Sequence, residues 1–188
     1  PSSAHIKNGP LDLKIKWPND IYSDTLKIAG VLCHSSFRQG MFHVIIGVGL
    51  NLANEKPTTC IDSLVQQHLA ERLGHLSPPV PLKTLSKEAL LANILTRLES
   101  MLHRVSESGF QSFESEYYNV WMHSNQRVMV EDAVDSSKST SQSHEERKKT
   151  SVVIRGLSDH GYLLAEDDFG VKYELHPDGN SFDFLQGL

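Results

Sequence analysis

Two short stretches of this chain carry side chains able to do chemistry. In Lys14-Ile15-Lys16-Trp17-Pro18-Asn19-Asp20 a cation, Lys16, stands at the end of an apolar-alternating run and directly before a turn. That is where an α+β enzyme usually holds a ligand. In Ile45-Ile46-Gly47-Val48-Gly49-Leu50-Asn51-Leu52 two glycines let a ligand lie against bare backbone, and the Asn51 amide can both donate and accept hydrogen bonds. Each residue also has a plainer use. Alternation alone puts Lys16 on one polar face with Asp12 and Lys14, as a solvated strand residue. Gly47 and Gly49 equally suit tight strand packing, and Asn51 suits the turn that ends a strand. Asn19 and Asp20 stabilise a turn through their own side chains, while an Asp near phosphates also helps to hold magnesium. The glycines have neither the spacing nor the immediate helix of a Walker loop or a dinucleotide fingerprint.

These residues need a framework, and the periodicities supply one. Leu11, Leu13, Ile15 and Trp17 alternate with Asp12, Lys14 and Lys16 as in a half-buried strand, which Pro18 stops. Apolar runs at 28–33 and 42–50, parted by Arg38-Gln39-Gly40, predict a β-hairpin. A loop with Pro57 then leads to a helix over 61–73, ended by Gly74. Three prolines make 77–81 a stiff connector. The next helix starts at the N-cap Ser86, carries apolar residues at helical spacing from Ala89 to Val105, and stops before Gly109. Phe110, Phe113, Tyr117 and Trp121 form the core face of a shorter helix.

From about Asn125 the pattern changes to short strands at 127–130, 151–157, 162–165 and 171–175, with turns at Asp159-His160-Gly161 and Asp167-Asp168-Phe169-Gly170. Residues 135–150 are almost devoid of apolar side chains and cannot bury enough area to offset the cost of ordering, which predicts a disordered insertion.

The whole composition narrows the function classes. With 188 residues and 39% hydrophobic content the chain can build an ordinary globular core. A net charge of −5, with Lys and Arg scattered, supplies no field for wrapping nucleic acid. No apolar run approaches the roughly 18 to 20 residues of a membrane span. Cys33 and Cys60 are too few for a disulfide framework or a thiolate zinc site, which points to a reducing compartment. The ten histidines show no His-x-x-x-His or His-Glu-x-x-His spacing, so no metal site is expected.

The ordered blocks Lys16 to Asp20, Lys27-Ile28-Ala29-Gly30, Ile46 to Asn51, Thr59-Cys60-Ile61-Asp62-Ser63-Leu64 and His176-Pro177-Asp178-Gly179-Asn180-Ser181-Phe182 together resemble biotin protein ligases, most nearly the animal holocarboxylase synthetases. The resemblance implies an α+β fold: a mixed sheet backed by helices, of the class II aminoacyl-tRNA synthetase-like type, over residues 1–123. It is N-terminally incomplete, because the family's Gly-Arg-Gly-Arg-type loop has no counterpart here. A small SH3-like β-barrel follows over 124–188, with the insertion at 135–150.

The implied function is that of a biotin–[carboxylase] ligase. Biotin and ATP are the substrates, magnesium is the counter-ion of ATP, and biotinyl-5′-AMP is the intermediate. The acyl group then passes to an acceptor lysine in the biotin carboxyl carrier domain of a biotin-dependent carboxylase, in the cytoplasm and also the mitochondrion. By the same resemblance Lys16 is the catalytic cation, with Asn19, Asp20, Gly30, Gly47, Gly49 and Asn51 on the adenylate. Lys27 matches a family position as a surface charge. This chain alone, without the Arg-rich loop, is expected to be inactive. The alternatives are a lipoate ligase-type acyltransferase, which shares the general fold and a catalytic lysine, and a non-catalytic acceptor-docking module.

Overall fold

The alternating run before Pro18 forms strand β1 (Leu13–Lys16). It opens a computed structural model that describes residues 11–54, 59–73, 85–131 and 149–177. The chain divides into two compact units, residues 1–122 and 123–188. In the first, Trp17, Pro18 and Asn19 turn the chain into β2 (Asp20–Ser23), with a cis bond between Trp17 and Pro18. Then come β3 (Leu26–Arg38) and β4 (Met41–Leu50). The strands pair antiparallel in the order β1-β2-β3-β4.

The expected mixed sheet is therefore corrected to an antiparallel meander. Its turns hold only two or three residues, whereas a parallel pair needs a crossover of a dozen or more. At the β3–β4 turn Gln39 and Gly40 have φ of 51° and 77°, the left-handed pair that matches the twist of the flanking strands. Strand β2 escaped the sequence pattern because four residues are too few to show a period.

A register shift in the β2–β3 ladder buries two consecutive residues, Ile28 and Ala29. They join Trp17, Tyr22, Leu52, Cys60, Phe113 and Trp121 in the core of this unit. Helix α1 is Ile61–Leu73 and α2 is Lys87–Ser108. Ser86 caps α2 by accepting from the Ala89 N–H at 3.3 Å, and Gly109 at φ 66° ends it. A 3-10 turn (Phe110–Phe113) leads into α3 (Glu114–Val120). That turn corrects the single aromatic face. Its tighter winding leaves Phe110 exposed while Phe113 and Trp121 are buried. The expected backing of the sheet is thinner than a full helical layer. Helix α2 buries none of its residues, whereas the segment after α3 reaches β1, the Met122 N–H donating to the Ile15 carbonyl at 2.9 Å.

The second unit is a four-stranded antiparallel sheet of β5 (Arg127–Glu131), β6 (Lys149–Leu157), β7 (Leu163–Asp167) and β8 (Lys172–Leu175), in sequence order. Val130, Val152, Ile154, Leu163, Ala165 and Leu175 form its core. Lys149 and Thr150 pair with Glu131 and Val130, so the last two residues of the expected insertion are strand; residues 135–148 lie outside the described residues. At the β7–β8 turn the Asp167 carboxylate accepts from the N–H groups of Phe169 and Val171, each at 2.9 Å, and from the Tyr173 hydroxyl at 3.3 Å. Burial pushes this carboxyl up, but the backbone donors Val171, Phe169 and Gly170 and the tyrosine together hold it below its ordinary value.

Candidate functional site

Strand register assembles the site. Lys16 on β1 lies opposite Asp20 on β2, Asp20 opposite Gly30 on β3, and Gly30 opposite Gly49 on β4. Residues directly opposite in an antiparallel ladder project from the same face. Four of the predicted residues thus form one row across the sheet. Gly47, opposite Leu32, occupies the next row on the same face.

The register shift adds Lys27, which the sequence alone presents as a surface charge. Lys27 lies opposite Tyr22, and its Nζ reaches Asp20 Oδ1 at 2.7 Å. The Lys16 ammonium stands 5.5 Å from the centre of the Tyr22 ring. One ammonium thus pairs with the Asp20 carboxylate and the other stands by Tyr22, two residues along the same strand, beside a floor of glycine backbone. The Lys27 side chain is 47% exposed and that of Asp20 21%, so the ion pair contributes at most about 1 kcal/mol to stability. Its value is in placement. A signal for Lys27 was present in the sequence, as a cation shortly after the Asp20 turn, but the contact itself depends on the irregular register.

The three glycines do different work. None of Gly30, Gly47 and Gly49 has positive φ, so space rather than torsion accounts for them. A Cβ at Gly47 or Gly49 would find no atom nearer than a backbone oxygen at 3.7 and 4.0 Å, leaving open surface for a ligand. A Cβ at Gly30 would stand 3.0 Å from Asp20 Oδ1.

Asn51 and Asn19 sit at the margins of the row. The Asn51 N–H donates to the Ile28 carbonyl at 2.9 Å, and the carbonyls of Asn51 and Leu52 each accept at 3.0 Å from the first N–H groups of α1. The end of β4 is thus latched to a helix start, which satisfies donors that would otherwise lack partners. The Asn19 carbonyl accepts from the Val31 N–H at 2.8 Å, so Asn19 prolongs the ladder while remaining exposed.

Among the described residues no three His, Cys, Asp or Glu side chains come together as a metal site, and no helix is long and apolar enough to cross a membrane. Cys33 is exposed and Cys60 buried, its Sγ 3.1 Å from the Ser63 hydroxyl.

Residues 6–51, which contain the entire row, match the Biotin/lipoate A/B protein ligase family. Biotin–protein ligase 2 of Arabidopsis thaliana is 43% identical over 177 residues, covering 94% of this chain and 48% of that protein. The Homo sapiens biotin–protein ligase is 36% identical over 179 residues, covering 95% and 22%. This chain thus spans about half or less of the length of these relatives. The biotin protein ligase of Aquifex aeolicus, solved in complex with biotin and ATP, superimposes with a TM-score of 0.52 at 20% identity, covering 87% of this chain and 58% of that one. That likeness shows the α+β fold with antiparallel sheets. Nearly the whole of this chain is thus similar to part of a biotin–protein ligase, with the family match falling on the strands that carry Lys16 to Asn51.

Proposed function

We propose that this chain serves ATP-dependent biotinylation: formation of biotinyl-5′-AMP, then transfer of biotin to an acceptor lysine of a biotin carboxyl carrier domain. Residues 1–123 would be part of the ligase catalytic domain and 124–188 its SH3-like C-terminal domain, working in the cytoplasm and the mitochondrion. The observation that carries the reading is the row Lys16–Asp20–Gly30–Gly49 with Lys27 joined to it.

In the first step a biotin carboxylate oxygen bonds to the α-phosphorus of ATP while the bond to the β-phosphate oxygen breaks and pyrophosphate leaves. In the second, the acceptor amine bonds to the acyl carbon, the acyl–oxygen bond breaks, AMP departs and the amine loses a proton. Both steps build negative charge near one carbonyl, where a fixed cation stabilises the transition state more than the ground state. Lys16, in the row, and Lys27, paired with its Asp20, supply cations on this face. Gly47 and Gly49 would leave space for the ligand, with Asn51 contacting the adenylate side and Asn19 holding the strand margin. Magnesium enters as the counter-ion of ATP. A lone carboxylate already bound by Lys27 is not a resident metal site.

Nuclear magnetic resonance tests the reading. Titration with biotinyl-5′-AMP should move the amide signals of Gly30, Gly47 and Gly49 more than AMP or octanoyl-5′-AMP does. Equal response to the octanoyl compound would favour the lipoate-type reading, and no response in these strands would leave the docking-module reading in its place.

A further inference from the structure

We infer that Gly30 is a positioning residue: the absence of its side chain keeps the Asp20–Lys27 ion pair in place and thereby fixes where the Lys27 ammonium stands. The inference rests on the ligase reading for its purpose and on geometry for its content. A Cβ on Gly30 would lie 3.0 Å from Asp20 Oδ1 and 3.5 Å from both Cε and Nζ of Lys27. It would crowd the carboxylate oxygen that Lys27 meets at 2.7 Å, while keeping ordinary contact with Lys27 itself.

The backbone has little freedom to withdraw. Gly30 lies between Asp20 and Gly49 in adjoining ladders, and its neighbours Ile28 and Ala29 are only 1% and 3% exposed. Moving β3 outward would break paired hydrogen bonds and open the core on its other side. The carboxylate, 21% exposed at the end of a short side chain, is what yields. Once it gives way by the few tenths of an ångström that such a contact demands, the geometry of its pair with Lys27 changes and the ammonium is displaced with it. Since Gly30 does not have positive φ, alanine there is not excluded by torsion, so steric displacement of Asp20 is the effect that remains.

The experiment is a double-mutant cycle between Gly30→Ala and Asp20→Ala, with Gly49→Ala as the comparison, in the full 188-residue chain. Lysine ε-methylene signals are recorded by carbon-13 resonance, that of Lys27 being assigned from Lys27→Arg. Gly30→Ala should move the Lys27 signal in the same direction as Asp20→Ala, while Gly49→Ala leaves it in place. In the Asp20→Ala background, where the obstructed oxygen is gone, Gly30→Ala should produce no further shift. Affinity for biotinyl-5′-AMP should follow the same cycle, falling about tenfold or more with Gly30→Ala alone and hardly at all when Asp20 is already alanine. A Lys27 signal unmoved by Gly30→Ala, or a Gly30→Ala effect that persists undiminished without the carboxylate, would overturn the inference. If the unmodified chain fails to bind biotinyl-5′-AMP while the Lys27 signals behave as stated, the ligase reading falls and the role of Gly30 stands. Unfolding of Gly30→Ala is read from its amide spectrum, and Gly30→Ser, with a similarly small side chain, must then give the Lys27 shift for the inference to survive.

Discussion

Lys16 and Lys27 reach the same face by different routes, and their substitutions separate placement from charge. Lys16→Ala removes a partly exposed side chain that stands over Tyr22, and Lys27→Ala removes the partner of Asp20; neither opens a core cavity. Each should weaken biotinyl-5′-AMP binding by about 10- to 100-fold, the weight of a charge-assisted contact, with thermal unfolding unchanged. Calorimetry beside a melting curve checks this, and near-normal affinity of the Lys16 variant would return that residue to the role of a solvated strand side chain. Lys16 and the strand glycines were legible because alternation and glycine content are local properties. The contact between Asp20 and Lys27 was not. It depends on which residue the ladder skips, and that choice is made by the burial of Ile28 and Ala29 rather than by any short-range pattern.

Helices α1 and α2 and the four strands of the second unit could be read closely, since caps, glycine stops and period-two runs are written into contiguous residues. The four-residue β2 and the 3-10 turn before α3 could not, because tertiary packing selects them. That turn is tied down by Arg104 of α2. Its guanidinium lies 3.9 Å from the centre of the Phe113 ring, pairs with Glu116 at 2.7 Å and donates to the Ser112 carbonyl. Arg104→Ala should cost about 1 to 2 kcal/mol in urea unfolding, through loss of cation–π and hydrogen-bond contacts together. Asp167 does comparable work in the β7–β8 turn. Because its folded carboxyl titrates below the ordinary value, its contribution to stability is present above that ordinary value and is lost as acid carries the pH down through the folded value. Asp167→Ala should therefore destabilise the second unit near neutrality, with the difference from the unmodified chain shrinking below about pH 4. Unfolding series at several pH values would show it; a difference independent of pH would mean that the turn does not need the charge.

Across the whole chain, apolar surface is exposed on a scale that composition could not disclose. On the sheet face opposite the row, Phe42, Val44, Ile46 and Val48 of β4 are 73%, 55%, 41% and 52% exposed, continuous with Phe37 of β3. Contiguous patches of this kind favour association. The isolated chain should bind a hydrophobic dye and sediment as a self-associating species, and Phe42→Lys with Val44→Lys should reduce both by severalfold while leaving the Lys27 resonance unmoved. The ladder order has a further consequence, in time rather than in space. Every strand in both sheets is hydrogen-bonded to its neighbours in sequence, and most of the connections between them are short, so each sheet can zip one hairpin at a time with little loop-closure entropy to overcome. The β5–β6 pair is the exception, its ends separated by residues 132–148. Folding of the second unit should wait on that closure. Replacing 132–148 with a two-residue Asn-Gly turn, while sparing Lys149 and Thr150, should speed its refolding and change its equilibrium stability by about 2 kcal/mol or less, because each doubling of loop length costs only about 0.6 kcal/mol.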